Sequence, residues 1–390
     1  MDPIMDCCCG VDVHKDMLEV CIIKDGFENP QILHCRFGTI PYELQKFTDW
    51  LSENDCHYVA MESTGVYWRP VYEKIEDIFG NTCTIIVANA HNMRNLPGRK
   101  SDIKDAEWIA TLLMHGLLEP SFVPDRVIRD LREFSRTYKN SISEKSRCIN
   151  RLEKFLNTHG FKLSSVLSDI TSVSGLKILT ILSEQGYLTL DDVEKAKSGH
   201  TKHTATEIQS AVCGTLNANE KFLLADFLDQ YNLICKHINK IIDKMKEIAA
   251  PYQNVIEKLD SIVGIDIIAS VLILAEIGDK PQANFKDSQH LCSWAGLSPR
   301  NDESANKIKS RKILPGNPYL KSILCQCARV AVRQRNNPFN SWYWSHKNKI
   351  GDKKSIIAVS RKMLKLIYHL IVTDTLYDNS KALEAVSKAT

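Results

Sequence analysis

The chain has 390 residues, 44% of them hydrophobic and 25% charged, which is enough for two or three domains with a sizeable core. Its most apolar segment, 262–277, is broken by Asp266 and Glu276 and is too short to cross a bilayer, which argues against an integral membrane protein. Net charge is only +3, but residues 300–365 hold sixteen Lys or Arg against three acids, a balance of +13 that leaves about −10 for the rest. A region that binds a polyanion, joined to an acidic remainder, is the natural inference. The start, MDPIMDCCCGVDVHK, lacks a basic stretch followed by a long apolar one, so no secretory signal is expected. Thirteen cysteines without a Cys-x-x-Cys pair fit reduced thiols in a cytoplasm.

In chain order, CCCGVDV, MLEVCIIK and QILHCRFG read as three strands, and Tyr42 to about Glu53 as a helix. HYVAMES reads as a fourth strand, Tyr67–Phe79 as a helix, TCTIIVA as a fifth strand, and Ser101 to about His115 as a closing helix. Three antiparallel strands followed by alternating helices and strands are compatible with a ribonuclease-H-like α/β fold, although pattern alone admits other α/β folds. From Val127 through Leu131, Phe134, Tyr138, Ile142, Ile149, Leu152 and Leu156 the spacing becomes helical. Leu224, Phe227, Tyr231, Ile234, Ile238, Ile241, Met245 and Ile248 repeat the 3-4 alternation of a coiled-coil seam or a long bundle helix. The two stripes can pair within one chain or between two.

Between them, near 163–214, lies a small helical insert. Its SVSGLKILTIL echoes SIVGIDIIASVL further on, aligning Gly175 with Gly264. Each is compatible with a helix-hairpin-helix turn that offers backbone N–H groups to a phosphate, and Gly264 is the stronger candidate. The expected domains are therefore 1–122 (α/β), 123–252 (long helices with the insert) and 253–390 (mostly helical).

The stretch GRKSDIKDAEWIA sets Asp102 and Asp105 on one face of a helix, directly after Arg99 and Lys100. Taken alone, this is helix capping, with Ser101 as N-cap and acids answering the helix dipole. Two further acids alter that reading. Asp12 ends the first apolar strand and Glu62 ends the fourth. In a ribonuclease-H-like sheet these strands are neighbours, and the last helix crosses beside them. Asp12, Glu62, Asp102 and Asp105 then form one cluster of oxygen ligands, suited to Mg²⁺. His14 is either a proton shuttle or a polar strand end, and Tyr67 and Arg69 near Glu62 stay open.

GVDVHKDMLEV, MESTGVYW and KSDIKDAEWIA resemble the Asp, Glu and Asp-x-x-Asp motifs of the DEDD transposases of insertion sequence family 110, including its 1111 group. LDSIVGIDIIASVLILAEIGD, SWAGLSPRNDESANK and LPGNPYLKSIL continue the likeness, in order, over nearly the whole chain apart from the insert. The resemblance implies a RuvC-like N-terminal domain, a coiled-coil region and a C-terminal transposase domain with helix-hairpin-helix. It implies DNA recombination in which the acids bind Mg²⁺ and a serine attacks DNA, forming a covalent phosphoserine. It also implies a structured guide (bridge) RNA that pairs with target and donor DNA. The serine at the matching position is Ser304, followed here by Ala305 where family members commonly have glycine. No histidine base stands in NDESANK, so a metal held by the acids is the expected activator of Ser304.

Arg99, Lys100, Lys307, Lys309, Arg311 and Lys312 are the expected phosphate contacts. In FNSWYWSHKNK, Phe339, Trp342, Tyr343 and Trp344 stand among cations, as stacking on unpaired bases requires; the competing reading has Trp342 and Trp344 filling the small domain's core. The remaining expectations are a homo-oligomer, dimer or tetramer, and a prokaryotic cytoplasmic location acting at the nucleoid. Two other functions compete: a Mg²⁺-dependent RuvC-like junction-resolving nuclease with water as nucleophile, and a nucleic-acid-binding scaffold whose acids only cap helices.

Overall fold

Small and β-branched side chains that fill both faces of a sheet begin the chain, in β1 (Cys7–Val13), β2 (Met17–Lys24) and β3 (Gln31–Gly38). There follow α1 (Pro41–Glu53), β4 (Tyr58–Glu62), α2 (Trp68–Phe79), β5 (Thr84–Ala88) and α3 (Asp102–Met114). The structure is a computed structural model that describes residues 4–24, 30–63, 65–88, 102–199, 201–299, 302–304, 307–310 and 312–383, without the side chains of 102–104, 302–304 and 307–310. Two compact units divide the chain, Met1–Val123 and Pro124–Thr390.

In the first unit the strands lie in the order β3-β2-β1-β4-β5. β1, β2 and β3 are antiparallel, whereas β4 runs parallel to β1 and β5 parallel to β4. That order is ribonuclease-H-like, as the pattern of strands and helices anticipates. One face buries Val11, Leu18, Val59 and Met61 together with Phe47, Leu51 and Ile75 of α1 and α2. The other buries Cys8, Cys21, Ile23 and Ala60 against Ala106, Ala110 and Leu113 of α3. The Cys7–Cys9 run is thus sheet packing. Burial pushes the Cys8 and Cys21 thiols up to about 12, and all thirteen cysteines are unpaired thiols.

The second unit opens with α4 (Arg126–Thr158) and, beyond the insert, α9 (Ala218–Ala249). They pack antiparallel within the chain: His159 lies 3.2 Å from Glu220, and the Phe155 and Phe227 rings are 5.8 Å apart. The stripe on α9 matches the heptad reading at Leu224, Tyr231, Ile238, Ile241 and Met245, all buried. On α4 it is offset. Leu131, Leu152 and Leu156 are buried as expected, but Val127 and Ile142 are exposed and Ile128, Ser135, Ser141 and Cys148 take buried positions, because Arg132 and Arg136 of its first half meet Ala275 and Glu276 while its second half packs on α9 and the insert. The insert holds α5 (Leu163–Val166), α6 (Val173–Gln185), α7 (Leu190–Ala196) and α8 (Ala205–Ala211), which close a core with the ends of α4 and α9.

After α10 (Gln253–Asp260), α11 (Ile267–Ile277) is buried along most of its length. Then come α12 (Pro281–Asn284), α13 (Ser288–Trp294), the hairpin β6 (Asp302–Ser304) and β7 (Lys307–Ser310), and α14 (Pro318–Ala331), α15 (Pro338–Ile350) and α16 (Asp352–Thr373). No described helix is long and apolar enough to cross a membrane.

Candidate active site

Asp12 and Glu62 occupy matching positions on neighbouring parallel strands, each one residue beyond the pair Val11↔Met61. Both share a sheet face with Gly10 and Ala60, two residues earlier, and that face carries α3. Gly10 governs how close the helix comes. A Cβ there would stand 2.1 Å from the Ala106 carbonyl oxygen and 2.4 Å from the Ala110 nitrogen, so only glycine lets α3 rest on the strand backbone. At its far end α3 is tied to the chain before β1, where the Ile4 N–H donates to the Met114 carbonyl at 2.9 Å. The helix therefore runs back along β1, and its first turn, with Asp102 and Asp105, comes over the end of the strand that carries Asp12. Asp105 is partly buried; the side chain of Asp102, with Ser101, Arg99 and Lys100, lies outside the described residues.

The same face holds two charged residues that sequence reasoning missed. Glu19 stands directly opposite Asp12 in the β1–β2 register, and Arg36 directly opposite Glu19 in β2–β3. Glu19 is 6% exposed and ion-paired with Arg36. A row Arg36, Glu19, Asp12, Glu62 thus crosses four strands. The signal was a single glutamate inside the otherwise apolar MLEVCII, although only the register reveals its neighbour.

Asp12 is 16% exposed, and His14 Nε2 lies 3.1 Å from its Oδ2. Arg69 turns to Glu73 at 2.7 Å, and Tyr67 is 42% exposed. Carboxylates converging on one face repel and resist burial, so the arrangement favours a cation. An all-oxygen donor set fits a hard divalent metal better than a thiolate- or imidazole-preferring one. Among the described residues, which include Asp12, Glu62 and Asp105, no group of three or more His, Cys, Asp or Glu stands close enough to hold a metal ion.

Ser304 is the last residue of β6 and pairs with Lys307 across the two-residue connection 305–306. Ser304 thus stands on a β-hairpin. Two features pin its base. Pro299 bridges Ile313, and Gly296 meets Gly316 backbone to backbone: a Cβ on Gly316, at φ +57°, would stand 2.2 Å from the Gly296 nitrogen. Next to Gly316, Asn317 caps α14 by accepting from the Tyr319 and Leu320 N–H groups at 2.9 and 3.0 Å. Its Nδ2 donates to Glu276 Oε2 at 2.7 Å. Glu276, fully buried on α11, also receives both arms of Arg136 at 3.1 Å, while Arg132 donates to the Ala275 and Glu276 carbonyls. Burial pushes the Arg132 guanidinium down to about 10, which leaves it charged at neutral pH.

Lys312 is exposed. Arg311 and the side chains of Ser304, Lys307 and Lys309 lie outside the described residues. Gly264, at φ +91°, sits in the turn between α10 and α11 and fits closely against Cys327 and Ala331 of α14, a packing reason for glycine. The aromatic run divides differently from expectation. Phe339 and Tyr343, one helical turn apart, face the core, and the Tyr343 hydroxyl donates to Asp352 at 2.6 Å. Trp344 is 57% exposed.

Residues 9–160 match the family model DEDD_Tnp_IS110, described as a transposase, and residues 256–343 match that of the transposase IS116/IS110/IS902 family; together they span more than half of the chain. The pilin gene-inverting proteins of Moraxella bovis and Moraxella lacunata are each 31% identical over 109 residues, 27% of this chain. The match spans about a third of those relatives, 33% of their length. Thermus thermophilus RuvC, in one solved structure bound to a Holliday junction substrate, covers 30% of this chain with 12% identity and a TM-score of 0.24. At that score strand order, not superposition, carries the fold.

Proposed function

This chain belongs to the IS110 family of transposases, and from that premise we propose that it cleaves and rejoins DNA to move a mobile element. The observation that supports the reading most is the matched placement of Asp12 and Glu62 on adjacent parallel strands, with the first turn of α3 drawn over Asp12 by Gly10. Asp12, Glu62, Asp102 and Asp105 hold Mg²⁺ in this reading. Bound there, the metal supplies charge neutralisation and Lewis acidity at a scissile phosphate. The paired Glu19 and Arg36 fix the charge balance beside Asp12. Ser304, presented at the end of β6, is the nucleophile and carries the DNA strand as a phosphoserine until rejoining. Lys307, Lys309, Arg311 and Lys312, with Arg99, Lys100 and the Gly264 turn, contact the phosphates of target and donor DNA. A structured guide RNA selects the sites, and copies of the chain assemble around them.

Cleavage of a donor-end substrate, measured across a Mg²⁺ titration, tests this reading. Asp12→Asn and Glu62→Gln should abolish cleavage while leaving circular dichroism and RNA retention unchanged. Full cleavage by an Asp102→Asn, Asp105→Asn double variant would refute the metal assignment. Sequencing the RNA that copurifies with the protein tests guidance: one structured species supports it, and bulk cellular RNA contradicts it.

A further inference from the structure

A groove of about 930 Å³ opens in the second unit between the end of α14, α15 and the start of α16. Arg329, Arg333, Arg335 and Lys347 line it, with Asp352 as the one acid among its described lining residues. That acid is already engaged by the Tyr343 hydroxyl at 2.6 Å and by Arg329 at 3.6 Å, and the Tyr343 bond holds its carboxyl below the usual range. Arg333 and Arg335 are exposed and have no ion-pair partner among the described residues. The turn that carries them is rigidly built. Asn336 takes φ +61°, and buried Asn337 donates to the Ala331 and Gln334 carbonyls at 3.0 and 2.7 Å while capping α15. Asn340 Nδ2 donates to the Val332 carbonyl at 2.6 Å. Trp344, the most exposed ring of the aromatic run, lines the same groove, with Lys347 Nζ 4.6 Å from its centroid.

Cations on a fixed turn that share a groove with an exposed indole fit one class of ligand, a phosphodiester backbone whose base is free to stack. A duplex keeps its bases stacked inside and offers only phosphates; an unpaired strand offers both. We propose that this groove binds single-stranded nucleic acid, with an unpaired base on Trp344 and the flanking phosphates on Arg333 and Arg335. The proposal rests on the reading of the chain as a nucleic-acid recombinase, but not on the metal site or on Ser304. The same chemistry is available from an RNA loop and from an unpaired DNA strand.

Fluorescence anisotropy with a labelled 20-mer as single-stranded RNA, as single-stranded DNA and as duplex DNA decides the matter on the full chain. Trp344→Ala should weaken binding of a single strand about tenfold and leave duplex binding within about twofold, since base–aromatic stacking is available to unpaired bases alone. Trp344→Phe should restore most of the loss. Arg333→Gln with Arg335→Gln should flatten the log–log salt dependence for the single strand by about 1.4. All three side chains are exposed, so thermal unfolding should be unchanged. Weakening on RNA, on DNA or on both supports the groove and names its strand. Equal affinity of wild type and Trp344→Ala for both single strands overturns the groove alone, whereas a wild-type protein that binds none of the three overturns the functional reading with it.

Discussion

The acids and the serine are held in place by different kinds of scaffold. Asp12 and Glu62 end interior strands of a five-stranded sheet, flanked on one side by β2 and on the other by β5, with α3 laid across them. Ser304 ends a three-residue strand with a single partner, and its placement depends on what is fixed beneath the hairpin. There the Gly296–Gly316 contact, the Pro299–Ile313 bridge and the Glu276 network do that work. The difference teaches where precision is required. Carboxylates proposed to converge against their own repulsion need a scaffold on every side, whereas the proposed nucleophile needs only a fixed stem from which to reach a phosphate.

The largest effect should come from the stem. Glu276→Ala leaves Arg132 and Arg136 without their buried counter-charge and Asn317 without its acceptor, and should cost about 3–5 kcal/mol in urea unfolding. A loss below about 1 kcal/mol would mean that the network does not support the second unit.

Gly10→Ala and Gly316→Ala come next, each at about 2–3 kcal/mol, because the new methyl meets backbone rather than a side chain that can move. Their readouts should separate. Mg²⁺ should raise the melting temperature of wild type and of Gly316→Ala but not of Gly10→Ala, since ligand stabilisation requires the assembled acids. Equal Mg²⁺ responses from both variants would erase the distinction between the two scaffolds.

The smallest effect concerns α13, the helix that leads into Gly296. Asp287 caps it, and bonds from the His290 backbone and ring and from the Gln289 N–H hold its carboxyl down at about 2. A carboxyl depressed by folding contributes stability above its ordinary value near 4, and that contribution fades as the pH falls toward 2. The gap between wild type and Asp287→Ala should therefore be constant from pH 7 to about 5 and close below about pH 4. A gap that persists at pH 2 would mean that the cap acts by packing.

The sheet was readable in the sequence because each strand alternates or runs apolar between turn residues, and the order of strands and helices narrowed the fold. Asp12 and Glu62 were readable because an acid that closes an apolar strand is conspicuous. What stayed hidden depends on contacts far apart in sequence. Gly10 looks like any strand glycine until α3 is laid on it, and Glu276 looks like an interruption of an apolar helix until Arg136, 140 residues earlier, meets it. The β6–β7 hairpin has strands too short to show alternation, and its register is imposed from its base. The groove near Trp344 escaped because helical period buried Phe339 and Tyr343 and left the tryptophan outside, the reverse of the packing expected for it.

The central claim is that Ser304 attacks DNA with the help of a metal held by the acids. Trapping the reaction on a nicked suicide substrate in Mg²⁺ and mapping the DNA-linked peptide by mass spectrometry tests it most directly. The prediction is one adduct, on the peptide that contains Ser304, absent from Ser304→Ala and from Asp12→Asn. An adduct on another residue, or complete strand cleavage with no adduct at all, would contradict the account and make water the nucleophile in the latter case.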